Sequence, residues 1–310
     1  MKAGYYAGKR QLREDVAGYL FISPWFIGFF AFAVIPILMS LYYSFTDYNI
    51  LGSPVYNGIA NFKRMLTDAK FWNAIKVTFT YAFLSVPLRL LFAFVLAVLF
   101  KRGTQLVRVY QAIYYLPSLV GGSITVAIMW RRMFMRDGLI NSFLQSVRLD
   151  GLVEFIFGNR TPSWIGSAST ALGVIVILAV WQFGSSMLIF LAGLRQIPKT
   201  YYEAASIDGA GWFPQFFRIT LPQMTPIIFF NLIMQLIAGF TVFTQAFVIS
   251  GGQGGPQDST LVYALYLYLR AFSFAEMGYG SALAWILVLI IAIFTALIFK
   301  SSDRWVHYES

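Results

Sequence analysis

Long apolar segments alternate with short polar ones along most of the chain. Six of these segments reach the length of about 20 apolar residues that a helix needs to cross a bilayer. Each predicts a transmembrane helix, because a backbone in lipid has to satisfy its hydrogen bonds within its own segment. The pattern therefore predicts an all-α membrane protein. Its six predicted spans, in chain order, are residues 17–45, 74–100, 109–130, 166–193, 224–249 and 279–300.

Composition agrees with this prediction and restricts the chemistry. Hydrophobic residues make up 58% of the 310-residue chain and charged residues only 12%, against about 25% in a soluble domain. The chain has no cysteine and a single histidine, His307. A thiolate metal site and a histidine cluster are therefore excluded, and we expect no catalytic residue and no metal or cofactor bound by this chain.

The positive charges indicate how the spans are oriented. With the N-terminus in the cytoplasm, the cytoplasmic segments hold twelve Lys and Arg residues and the longer outside segments hold nine, which is the direction that the positive-inside rule favours. The sequence predicts a cytoplasmic N-terminal segment (1–16), a six-helix transmembrane domain (17–300) and a cytoplasmic tail (301–310). We attribute the net charge of +10 to this placement and expect no nucleic-acid partner.

Two polar stretches on the predicted outer side carry apolar residues at helical spacing. NFKRMLTDAKFW, residues 61–72, predicts a short amphipathic helix that either lies on the membrane surface or is covered by other protein. RRMFMRDGLINSFLQSVRL, residues 131–149, predicts a second amphipathic segment. Residues 151–162 are expected to form a loop, and the glycines of ISGGQGGPQDST, residues 249–260, predict another.

The stretch YYEAASIDGAGWFPQFFRITLP, residues 201–222, interrupts the apolar pattern between the fourth and fifth spans. Its first seven residues predict a short helix. Asp208 and Gly209 predict a turn, since glycine reaches backbone angles that other residues avoid. Pro214 can begin a second short helix, which Pro222 ends. The stretch therefore predicts two helices at an angle to each other, within a cytoplasmic loop.

This stretch closely resembles the cytoplasmic coupling loop of the permeases of binding-protein-dependent ABC importers. Glu-Ala-Ala, Asp-Gly-Ala and Ile-x-Leu-Pro stand in it in that order. Similarity to the carbohydrate branch of that family, which includes the maltose and glycerol-phosphate permeases, runs from about residue 17 to residue 300. The segments that carry it are NFKRMLTDAKFWNAIKVTF, YYLPSLV, MLIFLAGLRQIPKTYYEAA, SGGQGGPQDSTLVYALYLYLRAF and EMGYGSALAW.

The resemblance implies the type I ABC importer permease fold in a bacterial cytoplasmic (inner) membrane. It implies a second permease subunit, an extracytoplasmic solute-binding protein, a carbohydrate substrate and lipid around the spans. An ATPase dimer would dock on the coupling loop at 194–222 and would bind ATP and Mg²⁺, so this chain is a transport subunit and not an enzyme. The coupling residues that the resemblance implies are Glu203, Ala204, Ala205, Asp208, Gly209 and Ala210.

Polar side chains within the fourth and fifth spans are candidates for the substrate path. Asn231, Gln235 and Gly239 recur at helical spacing on one face of the fifth span. Gln182 and Ser186 cluster in the fourth span. Amides and hydroxyls can hydrogen-bond a sugar, but polar residues in membrane helices also serve as contacts between helices. Both interpretations stay open for this set.

Arg89 is a charge inside the second span. It lies about 16 Å from the inner end of that span at the rise of an α-helix, and members of the family more often have an uncharged polar residue near here. An intramembrane charge is a functional candidate, and one hypothesis is that it attracts an acidic sugar such as a uronate oligosaccharide. In the alternative, Arg89 binds backbone carbonyls freed by Pro87 or pairs with the partner subunit.

ATP-driven import of a sugar or oligosaccharide by alternating access is the leading functional hypothesis. The alternative is a secondary transporter driven by an ion gradient. Such a carrier would place ion-coordinating residues inside its spans, and the spans as drawn contain no Asp or Glu. A membrane enzyme would need a cluster of titratable residues at one interface, and the sequence offers none.

Overall fold

Helices make up most of the chain in the computed structural model, which describes residues 2–101 and 105–307. Residue 1, residues 102–104 and residues 308–310 lie outside it, and with them the last part of the predicted tail. A short antiparallel hairpin of β1 (Thr46–Asp47) and β2 (Val55–Tyr56) pairs Thr46 with Tyr56.

The helices follow one another in chain order, some joined by five-residue π-helical segments. The π-helical segments are Phe30–Val34, Phe216–Thr220 and Leu269–Ser273. The α-helices are α1 (Lys2–Phe29), α2 (Ile35–Ser44), α3 (Ala60–Thr67), α4 (Ala69–Phe100), α5 (Gln105–Val120), α6 (Ile124–Met133), α7 (Leu139–Ser146), α8 (Asp150–Phe157), α9 (Ala171–Trp181), α10 (Gly184–Gln196), α11 (Lys199–Ile207), α12 (Trp212–Gln215), α13 (Leu221–Phe240), α14 (Thr244–Ser250), α15 (Tyr263–Tyr268) and α16 (Met277–Ser302).

Within the described residues, five helical segments are long and apolar enough to cross a membrane, or six if the bent pair of α5 and α6 counts as one span. The prediction of an all-α membrane protein with six spans is confirmed at this level. Which side of the membrane each terminus faces stays a prediction. The five segments are Asp15–Ser44, Ala69–Phe100, Ala171–Gln196, Trp212–Ser250 and Met277–Ser302.

The third predicted span, residues 109–130, is not one straight helix. Its two parts, α5 and α6, are bent by 100° relative to each other. Gly121 and Gly122 lie at the bend, and Ser123 caps α6 by accepting a hydrogen bond of 3.3 Å from the N–H of Val126. Gly and Ser pairs are a common cause of sharp helix kinks, so the local sequence explains why this span is broken.

Two predicted boundaries near the polar loops are wrong. Residues 151–162 do not form a loop throughout, because α8 covers Asp150–Phe157 and buries Val153 on one face. Pro222 does not end a short helix but is the second residue of α13, and it comes directly after the junction with the π-helical segment Phe216–Thr220. The helical segment therefore continues from Trp212 into the fifth span.

The chain divides into two compact units, the first of which comprises residues 1–64 and 270–285. Glu276 pairs there with the guanidinium groups of Arg64, at 2.9 Å, and Arg270, at 3.4 Å. One carboxylate thus connects the segment before the second span with the segment before the sixth.

The second unit, residues 65–269 and 286–310, contains a large apolar core. Helices α4, α10 and α13 pack together there. Ala93 and Ala97 of α4 are fully buried, and small side chains of this kind let membrane helices approach closely. The other buried side chains of this core are Val86, Leu90, Phe183, Met187, Phe190, Leu191, Leu194, Ile197 and Met224.

Asp68 fixes the start of α4. Its carboxylate accepts hydrogen bonds from the N–H groups of Lys70, at 2.9 Å, and Phe71, at 3.4 Å, which satisfies donors that have no partner in the first turn of a helix. Tyr266 of α15 donates its hydroxyl to the same carboxylate. The beginning of the second span is therefore tied to α15.

Candidate substrate cavity and coupling loop

A cavity of about 350 Å³ opens between the helices of the second unit. Small-molecule sites usually measure about 300–1,000 Å³, so the space is suited to part of an oligosaccharide. Helix α4 lines it with Tyr81, Ser85 and Arg89, which are four residues apart and so share one helix face. Other polar side chains of the lining belong to the segment Trp212–Ser250, namely Gln235, Thr241, Thr244 and Gln245.

Four of the six predicted substrate-path residues line this cavity: Arg89, Gln182, Gln235 and Gly239. Ser186 is buried behind the wall, where its hydroxyl accepts a hydrogen bond of 3.1 Å from Nε2 of Gln235. Asn231 is also buried and donates from Nδ2 to the carbonyl of Ile227 in its own helix, at 3.2 Å. Ser186 therefore supports a lining residue, while Asn231 contacts its own helix. That the lining residues bind substrate stays a prediction.

Several polar residues in this lining were not predicted from the sequence. Tyr81 and Ser85 could have been found, because they precede Arg89 at intervals of four residues along one helix. Thr241 and Thr244 flank a break between α13 and α14 at which no proline indicates an interruption. They line the cavity because α13 ends at Phe240 and the chain leaves the helical conformation before α14 begins at Thr244.

The guanidinium of Arg89 contacts the fourth span. Its Nη2 donates a hydrogen bond of 2.6 Å to the main-chain carbonyl of Gln182, which stands in the break between α9 and α10. The hydroxyl of Ser118, on α5, donates to the same oxygen at 2.9 Å and accepts a hydrogen bond of 3.0 Å from the N–H of Ser185. The carbonyl that Arg89 binds is therefore freed by this break and not by Pro87.

The charge of Arg89 has no carboxylate partner among the residues that the structure describes. Its Nε is buried without a hydrogen-bond partner, and neither Asp nor Glu is among the described residues that line the cavity. Charges interact more strongly in a low-dielectric interior than in water. The cavity therefore presents a positive charge that can attract an anionic group.

The six predicted coupling residues lie together in an exposed corner of the second unit. Glu203, Ala204 and Ala205 stand on α11, and Glu203 is exposed. The turn that follows requires glycine at position 209, where φ is +80°. The N–H of Ala210 donates to the carbonyl of Ala205 at 2.8 Å and closes this turn. Asp208 ends α11, and its side chain is exposed.

Gln215 of α12 connects the two helices of this corner. Its Nε2 donates to the hydroxyl of Ser206 at 3.0 Å and to the carbonyl of Ala210 at 2.9 Å. Large apolar side chains surround the turn and are exposed over more than half of their surface, which is typical of a protein-binding surface. They are Ile207, Trp212, Phe213 and Phe217.

Comparison with known proteins assigns this arrangement to a family. The sequence pattern of the family "Binding-protein-dependent transport system inner membrane component" matches residues 70–308. The chain belongs to this family. The match confirms the predicted resemblance, the location in an inner membrane and the role of a transport component, which is not an enzyme.

Two relatives and one solved structure illustrate the family. "Probable ABC transporter permease protein YesP" of Bacillus subtilis (strain 168) is 51% identical over 303 residues, which cover 97% of this chain and 95% of that protein. "Probable starch degradation products transport system permease protein AmyD" of Thermoanaerobacterium thermosulfurigenes is 31% identical over 280 residues, which cover 90% and 91%. A chain of a bacterial ABC transporter involved in the import of the acidic polysaccharide alginate superposes with a TM-score of 0.77 at 21% identity, covering 95% of this chain and 98% of that chain. The superposition confirms the fold of this family member.

Proposed function

We propose that this chain is the permease subunit of an ATP-driven importer. In this proposal it conducts a carbohydrate with carboxylate groups through the cavity that Arg89 lines. The observation that carries the proposal is an intramembrane arginine in a polar cavity without a carboxylate partner among the described residues. The name of AmyD refers to starch degradation products, and the solved neighbour takes part in alginate import. Both support a carbohydrate, and alginate supports an acidic one.

The polar lining suits such a substrate. Gln235, Thr241 and Tyr81 offer amide and hydroxyl groups for sugar hydroxyls, and Arg89 can form charge-assisted hydrogen bonds with a uronate. An ion-gradient-driven carrier is the alternative function. It would have to couple transport to ions at a lining in which the described residues include no carboxylate.

Transport in this proposal follows alternating access, in which the cavity opens first to one side of the membrane and then to the other. Two ATPase subunits bind ATP and Mg²⁺, while this chain binds neither. One of them docks on the 194–222 loop, where the exposed Ile207, Trp212 and Phe213 supply an apolar contact. Coupling requires that this contact differs in free energy between the two states. The hydrogen bonds of Gln215 hold the two helices of the loop together, so that the loop can move as one unit.

The remaining partners follow from the same scheme. The loop and both termini face the cytoplasm, and a solute-binding protein delivers the carbohydrate on the opposite side. A second permease, either a different chain or a second copy, completes the path. The predicted domain limits, 1–16, 17–300 and 301–310, are kept in this proposal.

Affinity purification from the native membrane, followed by mass spectrometry, tests the assembly. We expect an ATPase and a second permease with the parent chain, and loss of the ATPase alone with Glu203→Lys. Asp303→Lys makes the same change of charge at an exposed residue outside the loop and should retain the ATPase. Recovery of the chain alone, with solute uptake into vesicles that contain no ATP, would establish an ion-driven carrier instead.

Uptake into vesicles tests the substrate class. Vesicles with the purified transporter and internal ATP and Mg²⁺ receive the binding protein together with labelled alginate tetrasaccharide or maltotetraose. We expect ATP-dependent uptake of the acidic sugar and little of the neutral one. Uptake of maltotetraose alone would contradict the acidic substrate and leave the permease function intact.

A further inference from the structure

Ser118 is not among the residues that line the cavity, yet it contacts the carbonyl group that binds the Arg89 guanidinium. Its hydroxyl and Nη2 of Arg89 donate to the same acceptor, the main-chain carbonyl of Gln182, at 2.9 Å and 2.6 Å. One carbonyl oxygen therefore connects α5 and α4 through the break in the fourth span.

The same hydroxyl bridges the two sides of that break. It donates to the carbonyl of Gln182, which follows α9, and accepts from the N–H of Ser185, in the first turn of α10. Backbone groups without a partner are unfavourable away from water, and a helix break leaves such groups unpaired. The Ser118 hydroxyl satisfies one carbonyl and one N–H group of this break and so connects its two sides.

Close packing holds α5 in this position. A Cβ atom on Gly184 would lie 2.7 Å from the Cα atom of Tyr115, and a Cβ atom on Gly121 would overlap the side chain of Gln182. Both glycines therefore allow the broken third span to lie directly against the break in the fourth. This packing places the main chain of α5 beside the break, where the Ser118 hydroxyl reaches the carbonyl of Gln182 and the N–H of Ser185.

We propose that Ser118 is a positioning residue for Arg89. It orients the Gln182 carbonyl, which holds the guanidinium at the wall of the cavity, and it thereby determines how strongly the cavity favours anions. For a substrate carboxylate this inference rests on the proposed function. The effect on the charge of the cavity does not depend on transport.

The absence of cysteine from the chain permits a test that measures this charge directly. Thr244→Cys places the only thiol of this chain in the cavity lining, within the complete transporter in membranes. The thiol is modified with the anionic sulfonatoethyl and the cationic aminoethyl methanethiosulfonates, and the ratio of the two rates is measured. Arg89→Gln in the same background should lower the anion-to-cation ratio by about tenfold, the lower end of the range for charged clefts.

Ser118→Ala should lower this ratio most of the way to the Arg89→Gln value. Ser118→Thr, which keeps the hydroxyl, should retain the parent ratio, whereas Ser118→Val, which has the shape of threonine without the hydroxyl, should behave like alanine. The amount of each variant in the membrane and the partners that purify with it report whether it assembles. If Ser118→Ala does not assemble, the comparison of Ser118→Thr with Ser118→Val tests whether the hydroxyl positions Arg89.

Parent-like ratios for both Ser118→Ala and Ser118→Val, with a lowered ratio for Arg89→Gln, would overturn the positioning role. An unchanged ratio for Arg89→Gln would show that the cavity does not present this charge, and both the positioning role and the acidic-substrate proposal would then fail. If the ratios behave as expected but alginate tetrasaccharide is not taken up, only the proposed substrate is wrong.

Discussion

The guanidinium of Arg89, in the second span, donates a hydrogen bond of 2.6 Å to the main-chain carbonyl of Gln182, in the fourth. A carbonyl that is not used within a helix is a strong acceptor, and hydrogen bonds from charged donors are stronger than neutral ones. The break at Gln182 thus gives this arginine of the second span an acceptor, although no described carboxylate pairs with it. The charge stays available to a ligand.

The first prediction concerns this charge. Arg89→Gln should reduce the initial rate of uptake of alginate tetrasaccharide by about tenfold or more, because it removes an interaction worth at least about 1.4 kcal/mol. Arg89→Lys should give an intermediate rate, since lysine keeps the charge but lacks the planar fork that binds a carboxylate through two donors. The initial rate of uptake into vesicles is measured as a function of the sugar concentration.

Arg136→Gln is the matched control for this series. Arg136 is exposed and is not part of the cavity lining, so its substitution should leave the uptake rate within about a factor of two, as is usual for surface changes. Equal losses for Arg89→Gln and Arg136→Gln would point to a general effect of charge and not to the cavity.

The second prediction concerns the contact between the third and fourth spans. Gly184→Ala should lower the free energy of unfolding by about 1–3 kcal/mol, the usual cost of overpacking, because its methyl group meets the main chain of Tyr115. A methyl group on Gly173, in the same span, would have no other atom within 4 Å, so Gly173→Ala should be neutral or slightly stabilising. Thermal unfolding of the purified assembly measures both variants. A Gly184→Ala variant as stable as the parent would contradict the close approach.

The third prediction concerns the turn between α11 and α12, which the proposed function assigns to the coupling loop. Gly209 has a φ of +80°, a backbone conformation that costs other residues about 1–2 kcal/mol. Gly209→Ala should therefore distort the turn and reduce the number of sugars imported per ATP hydrolysed. Gly211, two residues later, has a φ of −72° and should tolerate alanine. The ratio of sugar uptake to phosphate release is measured in vesicles, and identical ratios for the two variants would show that the turn does not affect coupling.

The fourth prediction concerns the start of α4. Tyr266→Phe removes the hydroxyl that donates to the Asp68 carboxylate, and hydrogen bonds to charged groups contribute about 1.5–3 kcal/mol. The variant should unfold at a lower temperature than the parent. Tyr56 is exposed, so Tyr56→Phe serves as a control that should leave the unfolding temperature unchanged. A similar small shift for both variants would mean that the Asp68 contact contributes little.

Much of the fold could be predicted because its signals are local. The apolar length of residues 74–100 predicts a helix wherever the segment lies in the bilayer, and α4 covers it entirely. The Asp208 and Gly209 turn is also local, since glycine adopts a positive φ more readily than other residues do. Predictions failed where two local signals competed. Apolar residues around Val153 form a helix although Gly151 suggests a loop. Pro222 lies where a π-helical segment passes into α13 instead of ending a helix.

The cavity could be predicted only in part. The fifth span carries its amides on one helical face, and this periodicity led to Gln235 and Gly239. The same periodicity included Asn231, which is buried outside the lining, because helical spacing selects a face but does not show what that face contacts. Tyr81 and Ser85 were open to the same reasoning from Arg89, whereas Thr241 depends on a break whose position the residues around it do not indicate.

By itself, the sequence determined that this chain lies in a membrane and which of its segments are long and apolar enough to cross it. Hydrophobicity and turn chemistry act through neighbours along the chain, so these properties can be read from segments of about 20 residues. Only the tertiary structure decided which side chain meets which. Arg89 and Ser118 are 93 and 64 residues from Gln182 along the chain. They share the Gln182 carbonyl as an acceptor because the broken third span packs against the break in the fourth.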